Sequence, residues 1–158
     1  MSGLYDLVKT VHILSATVLF GTGLGTAFHM WSAHRAGDPR TIAAVARSTV
    51  RADFWFTTPA VVLQPASGIA LIHLSGIAPA TSWLAAAYGL YLLIGLCWLP
   101  VVWLQVRARN LAMSAAANGA PLPAEYHRVM GLWFGLGWPA FLGTMAIFWL
   151  MVAKPDLW

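Results

Sequence analysis

Charged residues are missing from three long stretches of this chain. Phe54 to Val106, 53 residues between Asp53 and Arg107, contains no Asp, Glu, Lys or Arg. Thr10 to Ala33 (24 residues) and Val129 to Ala153 (25 residues) are equally free of charge. One helix through the central stretch would be about 80 Å long at 1.5 Å per residue. A bilayer core is only about 30 Å thick and takes about 20 residues. The central stretch must therefore cross, turn and return, and Gly76-Ile77-Ala78-Pro79-Ala80-Thr81-Ser82 supplies the helix-breaking turn. The pattern predicts an all-α polytopic membrane protein. It is a four-transmembrane-helix bundle in one domain, 1–158, with spans near 8–32, 54–75, 83–106 and 129–153.

Composition agrees and sets the orientation. The chain is 59% apolar and 9% charged, against about 25% charged in a soluble domain, so no separate soluble domain is expected. The net charge of +4 does not indicate a nucleic-acid partner, because the basic residues sit at span ends and form no soluble basic face. Arg35, Arg40, Arg47 and Arg51 fall in the first connection, and Arg107, Arg109 and Arg128 in the third. The opposite side has Lys9, Lys154 and an uncharged turn. The positive-inside rule then expects cytoplasmic arginines and two extracytoplasmic termini, in a bacterial cytoplasmic (inner) membrane. The N-terminus lacks the basic start of a signal peptide, so the first stretch reads as a retained span. Cys97 stands alone, which rules out an internal disulfide and a cysteine-based metal cluster within one chain.

The connections carry structure too. Asp38-Pro39 is a helix cap followed by proline at the first helical position. Ile42, Val45, Ala46 and Val50 follow at helical spacing, which predicts a short surface helix leading into span 2. Asn118-Gly119 ends the third helix, and Pro121, Pro123 and Glu125 announce the fourth. Trp31, Trp55, Trp83, Trp103, Trp133 and Trp158 are expected at the membrane interfaces.

Polar side chains within a span are the default functional candidates. Span 1 carries His12 on a stripe with Ser15, Ala16, Leu19, Thr22, Gly23 and Thr26; the alternative to a ligand role is a packing seam. Gly21-Thr22-Gly23-Leu24-Gly25 follows no strand and is not a nucleotide loop. Span 2 carries Gln64-Pro65 and, at the depth of His12, His73, which reads equally as an interfacial histidine. Gln64 and His73 are half a turn out of phase in a straight helix, although Pro59 and Pro65 can rotate the upper half. Span 3 aligns Tyr88, Tyr91, Gly95, Trp98, Val102, Gln105 and Arg109 on one face, for interhelical hydrogen bonds and packing or for a pocket wall. In span 4, Gly131, Gly135 and Gly137 favour close packing, Pro139 a kink, and Thr144 is placed to restore freed backbone bonds. Lys9 and Lys154 sit at the outer edge as anchors or as partners for acidic groups. His29, His34 and His127 lie at the arginine side, where solvated histidines are the ordinary case and a second site the alternative.

Lys9-Thr10-Val11-His12, Gly21 to Gly25, Ala52-Asp53-Phe54, Leu63-Gln64-Pro65, Gly68, Trp83, Cys97-Trp98-Leu99-Pro100, Gln105-Val106-Arg107, Phe148-Trp149-Leu150-Met151 and Lys154-Pro155 resemble the uncharacterised bacterial integral-membrane family known as domain of unknown function 2269. The resemblance covers nearly the whole chain and implies no activity. The Lys-x-x-His opening is also similar to small heme b membrane proteins of the protoporphyrinogen oxidase type and, more loosely, to copper-resistance D-like proteins. In the oxidase family a first-span histidine is tied to heme, which His12 matches; its third-span lysine has no counterpart here, which argues against porphyrinogen oxidation. On this reading the cofactor is heme b, with His12 and His73 as metal ligands, Lys9 and Lys154 on the propionates, and Tyr88 and Tyr91 at the pocket wall. The partners are the bilayer and a quinone or another membrane redox protein, with a homo-oligomer left open. The alternatives are an accessory subunit of a larger membrane complex, and a small-solute or copper transporter. The scattered Met30, Met113, Met130, Met145 and Met151 lend the last little support.

Overall fold

The computed structural model of the chain describes residues 2–158. Helix α1 is Ser2–Ala36, α2 Pro39–Ala52, α3 Thr58–Ser75, α4 Ser82–Ala117 and α5 Ala124–Ala153. A single π-helical turn, Asp53–Thr57, joins α2 to α3. Four helices are long and apolar enough to cross a membrane, with α2, the π turn and α3 acting as one of them. Helix α1, at 35 residues, is about 50 Å long, so its ends extend past the hydrocarbon on either side.

Local chemistry sets the boundaries. Asp38 caps α2, its Oδ2 accepting from Thr41 N at 2.9 Å and from Thr41 Oγ1 at 2.6 Å. These bonds hold the Asp38 carboxyl below the usual range. The cap therefore acts fully above the unfolded aspartate range and is lost as pH falls through the depressed value. Gly76 and Gly119 take the left-handed conformation, φ 68° and 61°, where α3 and α4 end. The π turn lies immediately before Pro59. Proline has no N–H for the Trp55 carbonyl, and the chain rewinds with Thr58 N–H bonded to Asp53 O, five residues back. That wide turn sends Asp53 inward and leaves Phe54, Trp55 and Phe56 exposed at 64%, 69% and 56%.

The helices pack as two pairs, α1 on α3 and α4 on α5, with α2 laid against α4 and α1. The main core lies at the arginine-bearing end, where Ile42, Ala43 and Ala46 of α2 meet Leu104, Ala108 and Ala112 of α4, beside Met30, Tyr126 and Met130. Alanines facing alanines let α2 and α4 approach closely. A smaller cluster of Trp83, Leu84, Ala87 and Leu150 closes the opposite end. Between them, Phe20 of α1 meets Phe141 and Phe148 of α5 at centroid distances of 5.6 and 5.5 Å. Among the described residues no Cα of α3 comes within 8 Å of a Cα of α4, so only side chains bridge this hairpin.

Two expectations change. Trp83 and Trp133 are buried against neighbouring helices and face no lipid, whereas Trp31, Trp55, Trp103 and Trp158 are exposed as a belt requires. Thr144 does not serve the carbonyl freed by Pro139: its hydroxyl donates to Ala140 O at 2.8 Å, whereas Pro139 frees Gly135, four residues before it.

Candidate functional site

Two internal polar clasps and one bridge are the chemistry of this bundle. The first clasp joins α1 to α3. The i, i+3 pair His12 and Ser15 meets the i, i+3 pair Gln64 and Ser67 on an antiparallel helix, so the partners match in reverse order. Ser15 Oγ donates to Gln64 Oε1, and Gln64 Nε2 lies 3.1 Å from His12 Nε2. His12 Nδ1 lies 2.9 Å from Ser67 Oγ, which in turn donates to Leu63 O at 2.6 Å. The directions follow from the Gln64 amide. Its NH2 only donates, so His12 Nε2 accepts, and the neutral ring carries its proton on Nδ1 and donates to Ser67. Helical Gly68 leaves room for the ring; a Cβ there would sit 3.4 Å from His12 Cε1.

The second clasp lies nearer the arginines. Asp53, buried on the π turn, accepts from Thr57 Oγ1 at 2.7 Å on Oδ1 and from Gln105 Nε2 at 2.7 Å on Oδ2. Gln105 Oε1 accepts from Trp133 Nε1 at 3.3 Å. One carboxyl thus ties the α2–α3 junction to α4, and through Gln105 to α5. Among the described residues the one salt bridge is Arg107–Glu125, so Asp53 is held by neutral donors alone.

The bridge is Tyr91. Its hydroxyl donates to Val61 O at 2.6 Å. Val61 lies four residues before Pro65, which sits inside α3, and its carbonyl is the one that proline leaves without a donor. In lipid such a carbonyl must find another partner, and the tyrosine supplies it across the α3–α4 gap. Tyr91→Phe is expected to lower stability by about 1–2 kcal/mol, read as a lower melting temperature in detergent. An unchanged melt would mean that Val61 O finds another donor.

The remaining candidates are dispersed. His73 is exposed. It lies six residues beyond Ser67, so it is rotated about 240° from the face that meets His12. Tyr88 is 42% exposed. Lys9 and Lys154 lie over the rings of Tyr5 and Trp83 at 5.8 and 5.7 Å. His12 is thus brought together with Gln64, and not with His73, Tyr88 or either lysine. At the arginine end His34 and His127 do meet, at a centroid distance of 5.8 Å, with Tyr126 Oη 3.4 Å from His34 Nδ1; His29 is exposed beside Phe28. Among the described residues no three His, Cys, Asp or Glu side chains are grouped to hold a metal ion.

Sequence reasoning missed Asp53, Ser67 and Trp133 as members of polar contacts. One signal was available: Asp53 is the acidic residue that immediately precedes the longest charge-free stretch, two positions after Arg51.

Four apolar helices joined by internal polar clasps define a polytopic α-helical membrane protein. The chain belongs to the DUF2269 family, described as a predicted integral membrane protein, whose model matches residues 6–155. No curated protein and no solved structure is detectably similar to it.

Proposed function

We propose that the chain is an integral membrane heme b-binding protein in which His12 supplies one axial nitrogen for one-electron transfer. Its membrane is the bacterial cytoplasmic membrane, its arginine-bearing connections face the cytoplasm, and its partner is a quinone or another membrane redox protein. The observation that supports this reading is the pair of hydrogen-bond contacts at the His12 ring, 2.9 Å from Nδ1 to Ser67 Oγ and 3.1 Å from Nε2 to Gln64 Nε2. Nδ1 is tied through Ser67 to a backbone carbonyl, which leaves the lone pair on Nε2. Metal-binding histidines are oriented in this way, with the second nitrogen hydrogen-bonded.

The donor set offers one nitrogen, His12 Nε2, that would hold a heme iron. Nε2 already accepts from Gln64, so ligation requires that amide to swing aside on its flexible stem. His73 faces elsewhere and supplies no second ligand in this arrangement. Lys9 and Lys154, both at the end opposite the arginines, are the cations available to propionates. Heme, if bound, would supply the one-electron couple; His12 would hold it, with the ring oriented by Ser67.

Protein made with ample heme and purified in mild detergent should show a Soret band. His12→Ala should remove the band, and Gln64→Ala should retain or strengthen it. A colourless wild type overturns the proposal.

One observation favours a second reading, an accessory subunit of a larger membrane complex. Gly131 and Gly135 of α5 are exposed, and a Cβ at either would meet nothing within 4 Å, so a bare strip of backbone faces outward for another helix. A stoichiometric protein partner retained in mild detergent supports that reading; a chain that purifies alone and intact opposes it.

A further inference from the structure

At the arginine-bearing end a shallow cleft of about 230 Å³ lies beside the α2–α4 contact, lined by Arg47, Val50, Arg51, Arg109, Asn110 and Met113. Arg47 and Arg51 are one turn apart on α2 and share a face. Arg109 comes from α4, and Asn110 Oδ1 fixes its guanidinium by accepting from Nε at 3.1 Å and from Nη2 at 2.9 Å. None of the three has a carboxylate partner, since the one salt bridge among the described residues is Arg107–Glu125. Three cations from two helices, one of them oriented by a neighbour, line a space that the apolar side chains of Val50 and Met113 also border.

We propose that this cleft binds the phosphodiester headgroup of an anionic glycerophospholipid. Guanidinium forks suit phosphate oxygens, which they engage in paired hydrogen bonds. The depth of the cleft selects a lipid over a soluble anion. Arg51 lies one turn before the exposed Phe54, Trp55 and Phe56, and Arg109 lies two turns beyond Trp103, which is 65% exposed. Exposed aromatic rings of this kind mark the boundary between hydrocarbon and headgroups, so the arginines begin where lipid phosphates lie. The volume suits a phosphate and its glycerol, and Val50 and Met113 suit the start of the acyl chains. Basic pockets between helices at this level bind anionic headgroups.

The test is native mass spectrometry of the full chain in mild detergent. The protein is titrated with dioleoyl phosphatidylglycerol, dioleoyl phosphatidylcholine and inorganic phosphate. Phosphatidylglycerol should form a first adduct well before phosphatidylcholine, whose choline cation opposes the arginines. Each of Arg47→Gln, Arg51→Gln and Arg109→Gln should weaken that adduct about fivefold. The triple variant Arg35→Gln/Arg40→Gln/Arg128→Gln removes three times the charge of any single cleft substitution, all of it away from the cleft, and should leave the first adduct unchanged. Equal loss in this control means diffuse attraction and overturns the site. Displacement of the lipid by inorganic phosphate at matched concentration overturns the lipid assignment in favour of a soluble anion. Circular dichroism of every variant confirms that the helices persist, and the single substitutions remain informative if a triple variant does not fold.

Discussion

Gln105→Leu is expected to destabilise the protein by about 3 kcal/mol or more. Gln105 is 1% exposed, and both ends of its amide are engaged. Leucine has a similar bulk, so little space opens and the loss is one of partners. Two groups on different elements are orphaned together: Asp53 Oδ2 on the π turn and the indole N–H of Trp133 on α5. A buried polar group left unpaired costs about 1–3 kcal/mol, and a charged one more. The carboxyl is the costlier of the two, because Thr57 serves only its other oxygen. Adding Asp53→Leu to Gln105→Leu should recover much of the loss, since replacing both partners by apolar groups removes the unpaired carboxyl. Unfolding in mixed detergent, followed by circular dichroism for wild type, both single variants and the double variant, closes this cycle. A loss below about 1 kcal/mol for Gln105→Leu would show that water reaches Asp53, and that the clasp is not a structural tie.

His12→Leu should cost about 2 kcal/mol, less than Gln105→Leu because its partners have fallbacks. Ser67 already donates to Leu63 O, and Gln64 Oε1 keeps its bond from Ser15. What remains without a partner is the N–H of Gln64 that faced the ring, and the α1–α3 seam loses the centre of its hydrogen-bond chain. Hydrogen bonds between membrane helices average only about 0.6 kcal/mol by double-mutant cycles. The larger figure expected here therefore rests on the orphaned amide and not on the lost bond alone. Leu14→Ala, on a lipid-facing side chain 59% exposed, is the comparison and should be close to neutral. Equal melting temperatures for wild type and His12→Leu would remove the clasp from the account of stability and leave the imidazole free for chemistry alone.

The coarse architecture was legible because it depends on where charges stop. Lipid excludes charge wherever it lies along a span, so the stretches Thr10 to Ala33, Phe54 to Val106 and Val129 to Ala153 mark four crossings without reference to tertiary contacts. The caps were legible for a similar reason: Asp38-Pro39, Gly76 and Asn118-Gly119 act within one turn of chain. Interior partners were less so. Gln64 and His12 both stood out as polar residues within spans, yet nothing local indicates that they touch. Trp83 and Trp133 look like the other tryptophans in sequence, and only the packing of α4 against α5 and the chain end takes them off the exposed surface.

By itself, then, the order of residues determined an all-helical membrane protein with four crossings, a helical first connection and arginines gathered at one end. These follow from solvation and from short-range backbone preferences. The tertiary structure decided that His12 faces Gln64 and Ser67 instead of His73, that Tyr91 serves the carbonyl Pro65 leaves free, and that Asp53 reaches Gln105. Each of these depends on the rotation of α3 about its axis, which the π turn before Pro59 resets, and on which helices become neighbours. Rotation and neighbourhood are properties of the whole bundle, so no span taken alone contains them.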